Sequence, residues 1–98
     1  MSNSNENTDE NLDFYSVVLS FDAQEFFEEG SGSLQRKLDR CFEMLKTDPR
    51  SHPNIKQLKG DLAGYYRYRV GDYRVVYYID EEQKRVVVTV IAHRREVY

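Results

Sequence analysis

Apolar residues recur with two different periods along the chain, and each period predicts a different element. Residues 14–21 read FYSVVLSF, a β-branched and aromatic run that predicts a first strand buried on both faces. The next stretch, AQEFFEE, predicts a short helix with Phe26 on the core. Ser20 or Asp22 is the expected cap of this helix, because either side chain can accept a hydrogen bond from the first turn.

One apolar stripe with helical spacing predicts a second, longer helix. The stripe falls at i, i+4, i+7, i+8 and i+11 and consists of Leu34, Leu38, Cys41, Phe42 and Leu45. Ser33 is the expected N-cap, and the helix should end before Pro49, since the residue preceding a proline disfavours helical dihedrals. Because Cys41 belongs to the stripe, we expect a small core residue rather than a reactive thiol.

Three β-rich runs follow a loop over residues 49–64, in which His52 is expected to be exposed. The runs are residues 65–70, 73–79 and 85–92. The first two are separated by Gly71 and Asp72, a two-residue hairpin signal. The predicted order is therefore strand, helix, helix, strand, strand, strand. This order specifies a two-layer α+β fold with both helices packed on one side of an antiparallel meander.

The hairpin register gathers three arginines on one face of the sheet. With Gly71 and Asp72 as the turn, Arg69 lies directly opposite Arg74. Side chains alternate along a strand with a period of two, so both faces of the hairpin can be written out. The core face carries Tyr66, Tyr68, Val70, Tyr73, Val75, Tyr77 and Ile79. The other face carries Arg67, Arg69, Arg74, Tyr65, Val76 and Tyr78.

Arginines that oppose one another across a hairpin indicate a role in binding a ligand rather than in stabilising the fold. Like charges in a cross-strand pair repel, and neither strand carries an acid. Guanidinium groups bind phosphate through paired N–H bonds and aromatic rings stack on unpaired bases, so this face suits an anionic, base-bearing ligand. The alternative is that the arginines are solvated, or meet acids from the helices, the N-terminal segment or a partner.

The charges are segregated along the 98 residues, which the net charge of −3 conceals. Residues 1–29 hold eight acids and no base, whereas residues 30–98 hold fourteen bases and nine acids. A basic body of this kind can face a polyanion. Residues 1–13 are polar and acidic and predict a mobile tail, so residues 14–98 form the single predicted domain.

Composition argues against several functional classes. No apolar run approaches the roughly 20 residues of a membrane span, and the first residues lack the basic and apolar regions of a signal peptide. One cysteine and two separated histidines argue against a disulfide framework and a zinc site. We therefore expect a cytoplasmic protein that uses no membrane, metal or other cofactor.

The C-terminal residues HRREVY add groups that suit phosphate chemistry. They contribute His93, Arg94, Arg95 and Tyr98. A strand beside the hairpin would deliver these groups to one end of the arginine face, where they could move protons on a phosphodiester and stabilise charge on phosphorus. The segment is equally compatible with an ordinary charged tail. The sequence contains no Walker loop, paired-carboxylate metal site or Ser/His/Asp arrangement.

Four motifs in a fixed order carry a family resemblance. They are the loop Leu58-Lys59-Gly60, the strand Tyr66-Arg67-Tyr68-Arg69, the Tyr-Arg-x-x-Tyr strand from Tyr73 to Tyr77, and the closing HRREVY. With the strand-helix-helix start, the chain resembles the RelE/ParE superfamily of bacterial and archaeal toxins over about residues 14–98. The resemblance implies a two-helix layer on an antiparallel sheet, and a toxin that cuts mRNA in the ribosomal A site and is silenced by a tightly bound antitoxin.

The resemblance also implies a set of site residues. In RelE-type members, basic residues and a tyrosine help the ribose 2′-OH attack its own 3′-phosphate without a metal. Carried onto this chain, the catalytic set is Arg67, Arg69, Arg74, Arg94 (or Arg95) and Tyr98. Arg67 and Arg74 would hold the scissile phosphate, Arg94 would give a proton to the leaving 5′-oxygen, and Tyr98 would stack on a base. The expected RNA contacts are His93, Arg95, Tyr65, Tyr78 and Lys59.

The general base stays open at this point. The best-known RelE has lysines in the first hairpin strand, where this chain has Arg67 and Arg69. Because a guanidinium stays protonated at any working pH, Arg69 is a poor base. His93, Tyr98 or a ribosomal group are the remaining candidates for accepting the proton.

Two further functions also stay open. So does the identity of the acidic segment that covers the arginine face. A ParE-type toxin would poison DNA gyrase without cutting RNA, and an inactive relative would only bind an antitoxin and DNA. The arginine set and the terminal tyrosine favour the nuclease. We expect an acidic segment or helix of the antitoxin to cover the arginine face, with the chain's own acidic segment, residues 6–13, as the alternative cover.

Overall fold

The computed structural model describes residues 14–96, which fold into two helices on one face of a sheet. The helices are α1 (Phe21–Glu29) and α2 (Gly32–Thr47). The strands of this described part are β1 (Ser16–Leu19), β2 (Ile55–Gln57), β3 (Tyr66–Val70), β4 (Tyr73–Asp80) and β5 (Arg85–His93). Short 3₁₀ helices span Gly60–Leu62 and Arg94–Glu96. The predicted two-layer α+β fold is confirmed.

The strand order within residues 14–96 is β1-β5-β4-β3-β2. β1 pairs in parallel with β5, and the other neighbours are antiparallel. The predicted meander of β3, β4 and β5 is confirmed, whereas β2 lies in the segment that was predicted to be a loop. Its three residues, IKQ, are too few to show a period, and pairing with β3 makes them a strand.

β1 is covered on one face only, so the prediction of a strand buried on both faces is wrong. Ser16 and Val18 are exposed, whereas Val17 and Leu19 are half-buried and pack against the core. Both helices pack on the same side of the sheet, which leaves the opposite side of β1 open to solvent. We call the side of the sheet without helices the outer face.

The core lies between the helices and the sheet, where the predicted stripe of α2 meets the meander. Leu38, Cys41 and Leu45 are buried, and burial raises the pKa of the Cys41 thiol, as expected for a core residue. The buried strand residues of the same cluster include Val75, Tyr77, Val86 and Val88. The fully buried Tyr77 satisfies its hydroxyl by donating to the carbonyl of Pro49 at 2.8 Å.

Side-chain hydrogen bonds locate the two helix caps. Ser20 caps α1, since its Oγ accepts the N–H of Ala23 at 3.1 Å. The expected cap of α2, Ser33, is wrong. Ser31 accepts the N–H of Leu34 at 3.1 Å instead, so the helix begins one residue after Ser31 and Ser33 lies within its first turn.

His52 is not the exposed loop residue that was predicted. Its ring is half-buried and stacks on Tyr68, with 5.1 Å between the ring centroids. Its Nδ1 accepts the N–H of Asn54 at 3.0 Å. The loop folds over the apolar surface that Tyr68 provides, and this tertiary contact has no signature in the local sequence.

The register of the β3–β4 hairpin is the predicted one. Val70 pairs with Tyr73, and Arg69 pairs with Arg74. Gly71 occupies the turn with φ of +58°, a conformation that glycine adopts without a steric penalty. The alternation along both strands therefore places the three hairpin arginines on the outer face.

Two predictions fall outside the described part of the chain. The acidic tail over residues 1–13 lies before it, and Tyr98 lies after it. Among residues 14–96, neither helix has the length and hydropathy that a membrane crossing requires.

Candidate active site

Positive charges meet across three neighbouring strands of the outer face. Arg67 opposes Lys56 of β2 on one side and Val76 of β4 on the other. Arg69 opposes Arg74; Arg69 is exposed, whereas Arg67 and Arg74 are half-buried. Two like-charged cross-strand pairs in succession make this surface attractive to an anion.

A shallow cavity of about 630 Å³ opens beside these arginines. We call it the basic cavity; its lining is Lys56, Gln57, Leu58, Lys59, Leu62, Arg67, Arg74 and Arg94. Five of these residues carry a positive charge and none carries a negative charge. The positive charge attracts phosphate, and the two leucines offer apolar surface against which a nucleobase or ribose can pack.

One wall of the basic cavity is the loop between β2 and β3. The N–H of Leu58 donates to the carbonyl of Tyr65 at 2.9 Å, and the N–H of Leu62 donates to the carbonyl of Lys59 at 3.2 Å. Gly60 reverses the chain with φ of +66°, a value that disfavours residues with a side chain. These contacts bring Lys59 and Leu62 beside the arginines of the sheet.

Backbone carbonyls orient two of the arginine side chains. Nη1 of Arg67 donates to the carbonyl of Asn54 at 2.9 Å, and Nη1 of Arg74 donates to the carbonyl of Tyr73 at 3.1 Å. Such a bond fixes the plane of a guanidinium, which carries five N–H donors in a rigid fork. A guanidinium oriented in advance loses less conformational entropy when it binds a phosphate.

Arg94 joins the basic cavity from the end of β5, where the hairpin turn holds the chain. The backbone N–H of Arg94 donates to the carbonyl of Asp72 at 2.7 Å. Nε of Arg94 lies 3.9 Å from Oδ1 of Asp72, and both side chains are more than half exposed. An ion pair of this length and exposure is weak, so the backbone bond is the firmer anchor of this segment.

Besides His93, four predicted site residues of the described chain lie outside the basic cavity, three of them on the outer face. Tyr65 and Tyr78 form an edge-to-face pair with 5.6 Å between centroids. Arg69 shares the outer face with them but does not line the cavity. Arg95 is exposed in the last 3₁₀ helix and is not part of the lining.

His93 lies on the helix side of the sheet, away from the basic cavity. It opposes Tyr73, with 5.5 Å between the ring centroids, and Tyr73 packs on Phe26 of α1 at 5.9 Å. Its Nδ1 accepts the N–H of Arg95 at 3.3 Å. Residues directly opposite in a strand pair share a face, so the expectation that His93 lies near the arginine face does not hold.

Lys56 is a cavity residue that sequence reasoning missed. It follows Ile55 on β2, the short strand that was predicted to be a loop. Only the pairing of β2 with β3 places Lys56 beside Arg67. The signal in the sequence was weak: Ile55 and Leu58 are apolar while Lys56 and Gln57 between them are polar, a pattern that does not alternate with a period of two.

A second cavity of about 680 Å³ lies on the helix side of the hairpin turn. Its apolar lining includes Phe26 and Leu34, and its charged residues are Glu29, Lys37 and Asp72. With two acids and one base, it has no excess of positive charge. Although this cavity is slightly larger, we assign the candidate site to the basic cavity because, of the two, the basic cavity matches an anionic ligand.

Comparison with known proteins assigns this fold to a family. The family model described as "ParE toxin of type II toxin-antitoxin system, parDE" matches residues 22–98. The chain belongs to the ParE toxin family. This ParE-family chain is 49% identical to toxin RelE and 42% identical to toxin RelG of Mycobacterium tuberculosis, each over 43 residues.

Both matches are partial. Each covers 44% of the ParE-family chain, together with 44% of toxin RelE and 49% of toxin RelG, so the match spans less than half of these relatives. The fold likeness extends further. The toxin–antitoxin complex RelBE2 from Mycobacterium tuberculosis has a chain that superposes with a TM-score of 0.71 and 27% identity, covering 82% of this chain and 98% of that one. The predicted RelE/ParE superfamily is thereby confirmed.

Proposed function

We propose that this ParE-family toxin is an endoribonuclease that cleaves mRNA in the ribosomal A site. The basic cavity carries the proposal, because five cations and two leucines converge there without an acid in the lining. A phosphodiester flanked by unpaired bases combines the charge and the apolar surface that such a cavity complements.

The reaction is an internal transesterification. The ribose 2′-oxygen bonds to the adjacent phosphorus, the bond from phosphorus to the 5′-oxygen breaks, and the products end in a 2′,3′-cyclic phosphate and a 5′-hydroxyl. Arg67 and Arg74 hold the non-bridging oxygens, on which negative charge increases in the transition state. Arg94 donates a hydrogen bond to the leaving 5′-oxygen, which takes its proton from water because a guanidinium does not release one.

The remaining predicted residues contact RNA around the scissile bond. Lys59, Arg69 and Arg95 contact flanking phosphates, and such contacts position a nucleic acid without reading its sequence. Tyr65 and Tyr78 offer ring surface on the outer face, and Tyr98 stacks on a base of the codon.

The openness of the basic cavity supports the proposed dependence on the ribosome. Lys56, Lys59 and Arg94 are exposed, so the cavity does not enclose its substrate. In-line attack requires the 2′-oxygen, the phosphorus and the leaving oxygen to be held in a narrow range of geometries. We propose that the A site holds the mRNA in that geometry and that free RNA is cleaved weakly.

An antitoxin is the proposed protein partner. The similar chain of known structure comes from a toxin–antitoxin complex. On this chain, the outer face exposes Val18, Tyr78 and Val90 in addition to the basic cavity. A partner segment with acids for the basic cavity and apolar side chains for these three residues would cover both surfaces and block access of RNA.

Replacement of one cavity arginine tests the nuclease. Arg67→Ala should reduce A-site cleavage by about 100-fold or more, since it removes a donor to the transition state. Primer extension on mRNA in a purified translation system measures the cut. Arg36→Ala removes the same charge from an exposed position of α2 and should cleave like the unchanged protein. Intact mRNA with the unchanged protein would contradict the proposal.

DNA gyrase inhibition is the second candidate, favoured by the description of the matching family as ParE toxin. A supercoiling assay with purified gyrase distinguishes the two functions. Inhibition of supercoiling together with intact mRNA would favour the gyrase inhibitor. Inactivity in both assays, with retained antitoxin binding, would identify a relative that only binds its partner.

A further inference from the structure

The proposed cleavage needs a group that accepts the 2′-hydroxyl proton, and the arginines do not qualify. A guanidinium stays protonated at any pH at which the protein is folded. Among the residues that line the basic cavity, only Lys56 and Lys59 carry an amine, which, unlike a guanidinium, can lose and regain a proton. His93 lies on the helix side of the sheet and does not reach the cavity.

The strand pairing favours Lys56 over Lys59. Lys56 lies on β2 directly opposite Arg67, and directly opposed Cβ atoms in an antiparallel pair are about 5 Å apart. The guanidinium of Arg67 also bonds to the carbonyl of Asn54, two residues before Lys56. Lys59 instead lies in the loop that leads into the 3₁₀ helix, where no strand partner holds it.

We infer that Lys56 is the general base of the proposed reaction, and this inference rests on the proposed nuclease function. Arg67 holds the scissile phosphate, and the 2′-hydroxyl that attacks this phosphate belongs to the neighbouring ribose. The cross-strand neighbour of Arg67 is therefore the side chain best placed to reach that hydroxyl. The flexible four-carbon stem of lysine allows Nζ to approach while the strand keeps the Cα fixed.

The proton balance of the step is complete. Neutral Nζ of Lys56 takes the proton from the 2′-hydroxyl as the bond between the 2′-oxygen and phosphorus forms. The bond between phosphorus and the 5′-oxygen breaks, and water protonates the departing oxygen. The lysine returns its proton to solvent before the next turnover, so the rate should rise with pH as the neutral amine becomes more abundant.

Lys56→Arg separates a base from a phosphate contact, because it keeps the positive charge and removes the proton acceptor. Cleavage is measured in single turnovers on ribosomes programmed with mRNA, from pH 6 to pH 9. We expect Lys56→Arg to cleave about 100-fold or more slowly than the unchanged protein and to lose the rise of rate with pH. RNA binding in a salt titration should change less than two-fold, and circular dichroism reports whether the variant folds.

Two further variants complete the test. Lys56→Ala should be as slow as Lys56→Arg and should also bind RNA more weakly, since it removes both the base and the charge. Lys37→Arg makes the same chemical change at an exposed position of α2 and should cleave at the unchanged rate.

The outcomes distinguish this inference from the proposed function. If the unchanged protein cleaves and Lys56→Arg retains its rate and pH profile, Lys56 is not the base and the nuclease stands. If Lys59→Arg, and not Lys56→Arg, abolishes the pH dependence, the base is Lys59. If the unchanged protein does not cleave on ribosomes at any pH, the nuclease and its base are both wrong.

Discussion

Two charged surfaces at opposite ends of β4 use the same residue types in opposite ways. At the far end of the strand, the Glu81 cluster consists of Tyr15, Arg50, Glu81 and Lys84. The Glu81 carboxylate accepts the Tyr15 hydroxyl at 2.6 Å and pairs with Arg50 at 2.7 Å and Lys84 at 2.9 Å. At the near end, the basic cavity collects five cations without an acid in its lining.

The difference shows how a small fold separates stability from ligand binding. The Glu81 cluster joins the start of β1, the loop after α2 and the β4–β5 turn, and each of its charges has a partner of opposite sign within the fold. The outer face at and beside the basic cavity instead places like charges opposite one another, at Lys56–Arg67 and Arg69–Arg74. We expect a ligand to bind where the fold clusters cations and the lining of the cavity holds no acid.

Removing one arginine from each surface should give the largest difference between the two surfaces, in both cleavage and thermal stability. Arg94→Ala should reduce A-site cleavage by about 100-fold or more, because the leaving oxygen loses its donor, while the Tm stays unchanged. Arg50→Ala should do the reverse, with unchanged cleavage and a Tm lower by a few degrees, as expected for exposed ion pairs. Primer extension and thermal melts measure the two effects. If both variants lost cleavage equally, the two surfaces would not differ in function as we expect.

The salt dependence of RNA binding should also differ between variants of the two surfaces, although by a smaller amount. Each cation that contacts a phosphate of single-stranded RNA contributes about 0.7 to the slope of log affinity against log salt concentration. Arg67→Ala should therefore reduce the slope by about this amount. Arg50→Ala is the matched control and should leave the slope unchanged. An identical slope for all three proteins would show that Arg67 contacts no phosphate.

The smallest effect concerns the acid stability of the Glu81 cluster. The hydrogen bond from Tyr15, and then those from Lys84 and Arg50, lower the pKa of Glu81 from 4.5 to about 2. A carboxyl whose pKa is lower in the folded state stabilises the fold above its unfolded pKa, and this contribution disappears as the pH falls from 4.5 to about 2.

Glu81→Gln should accordingly lower the Tm slightly at pH 7, and its difference from the unchanged protein should shrink as the pH falls from 4.5 to about 2. Thermal melts across this pH range measure the effect. Glu82→Gln, at an exposed position in the same turn, is the control and should follow the unchanged protein at every pH. A difference as large at pH 2 as at pH 7 would indicate that Glu81 acts through something other than its charge.

Much of the fold and part of the candidate site could be predicted from sequence, because local chemistry determines them. The turn at Gly71 together with a period of two was sufficient to place Arg67, Arg69 and Arg74 on one face. The apolar stripe around Leu38 likewise identified the buried side of α2. Both are repeating patterns that need no information about distant residues.

The missed features depend on contacts between segments far apart in the sequence. β2 is a strand only because β3 pairs with it, so Lys56 could not be assigned to the cavity in advance. His93 turned to the helix side because of its register with Tyr73, and the sequence offers no two-residue turn signal between β4 and β5 that would set this register. The stacking of His52 on Tyr68 is a third case of the same kind.

The position of β5 in the sheet has a consequence for the timing of synthesis. β5 is the last strand of the described chain, yet it lies between β1 and β4. A nascent chain that ends at Asp80 therefore has no partner for β1, and it also lacks Arg94. Pairing between segments so distant in sequence is a late and slow event in folding. The sheet and the basic cavity are thus completed together, and neither can form before residues 85–94 have been translated.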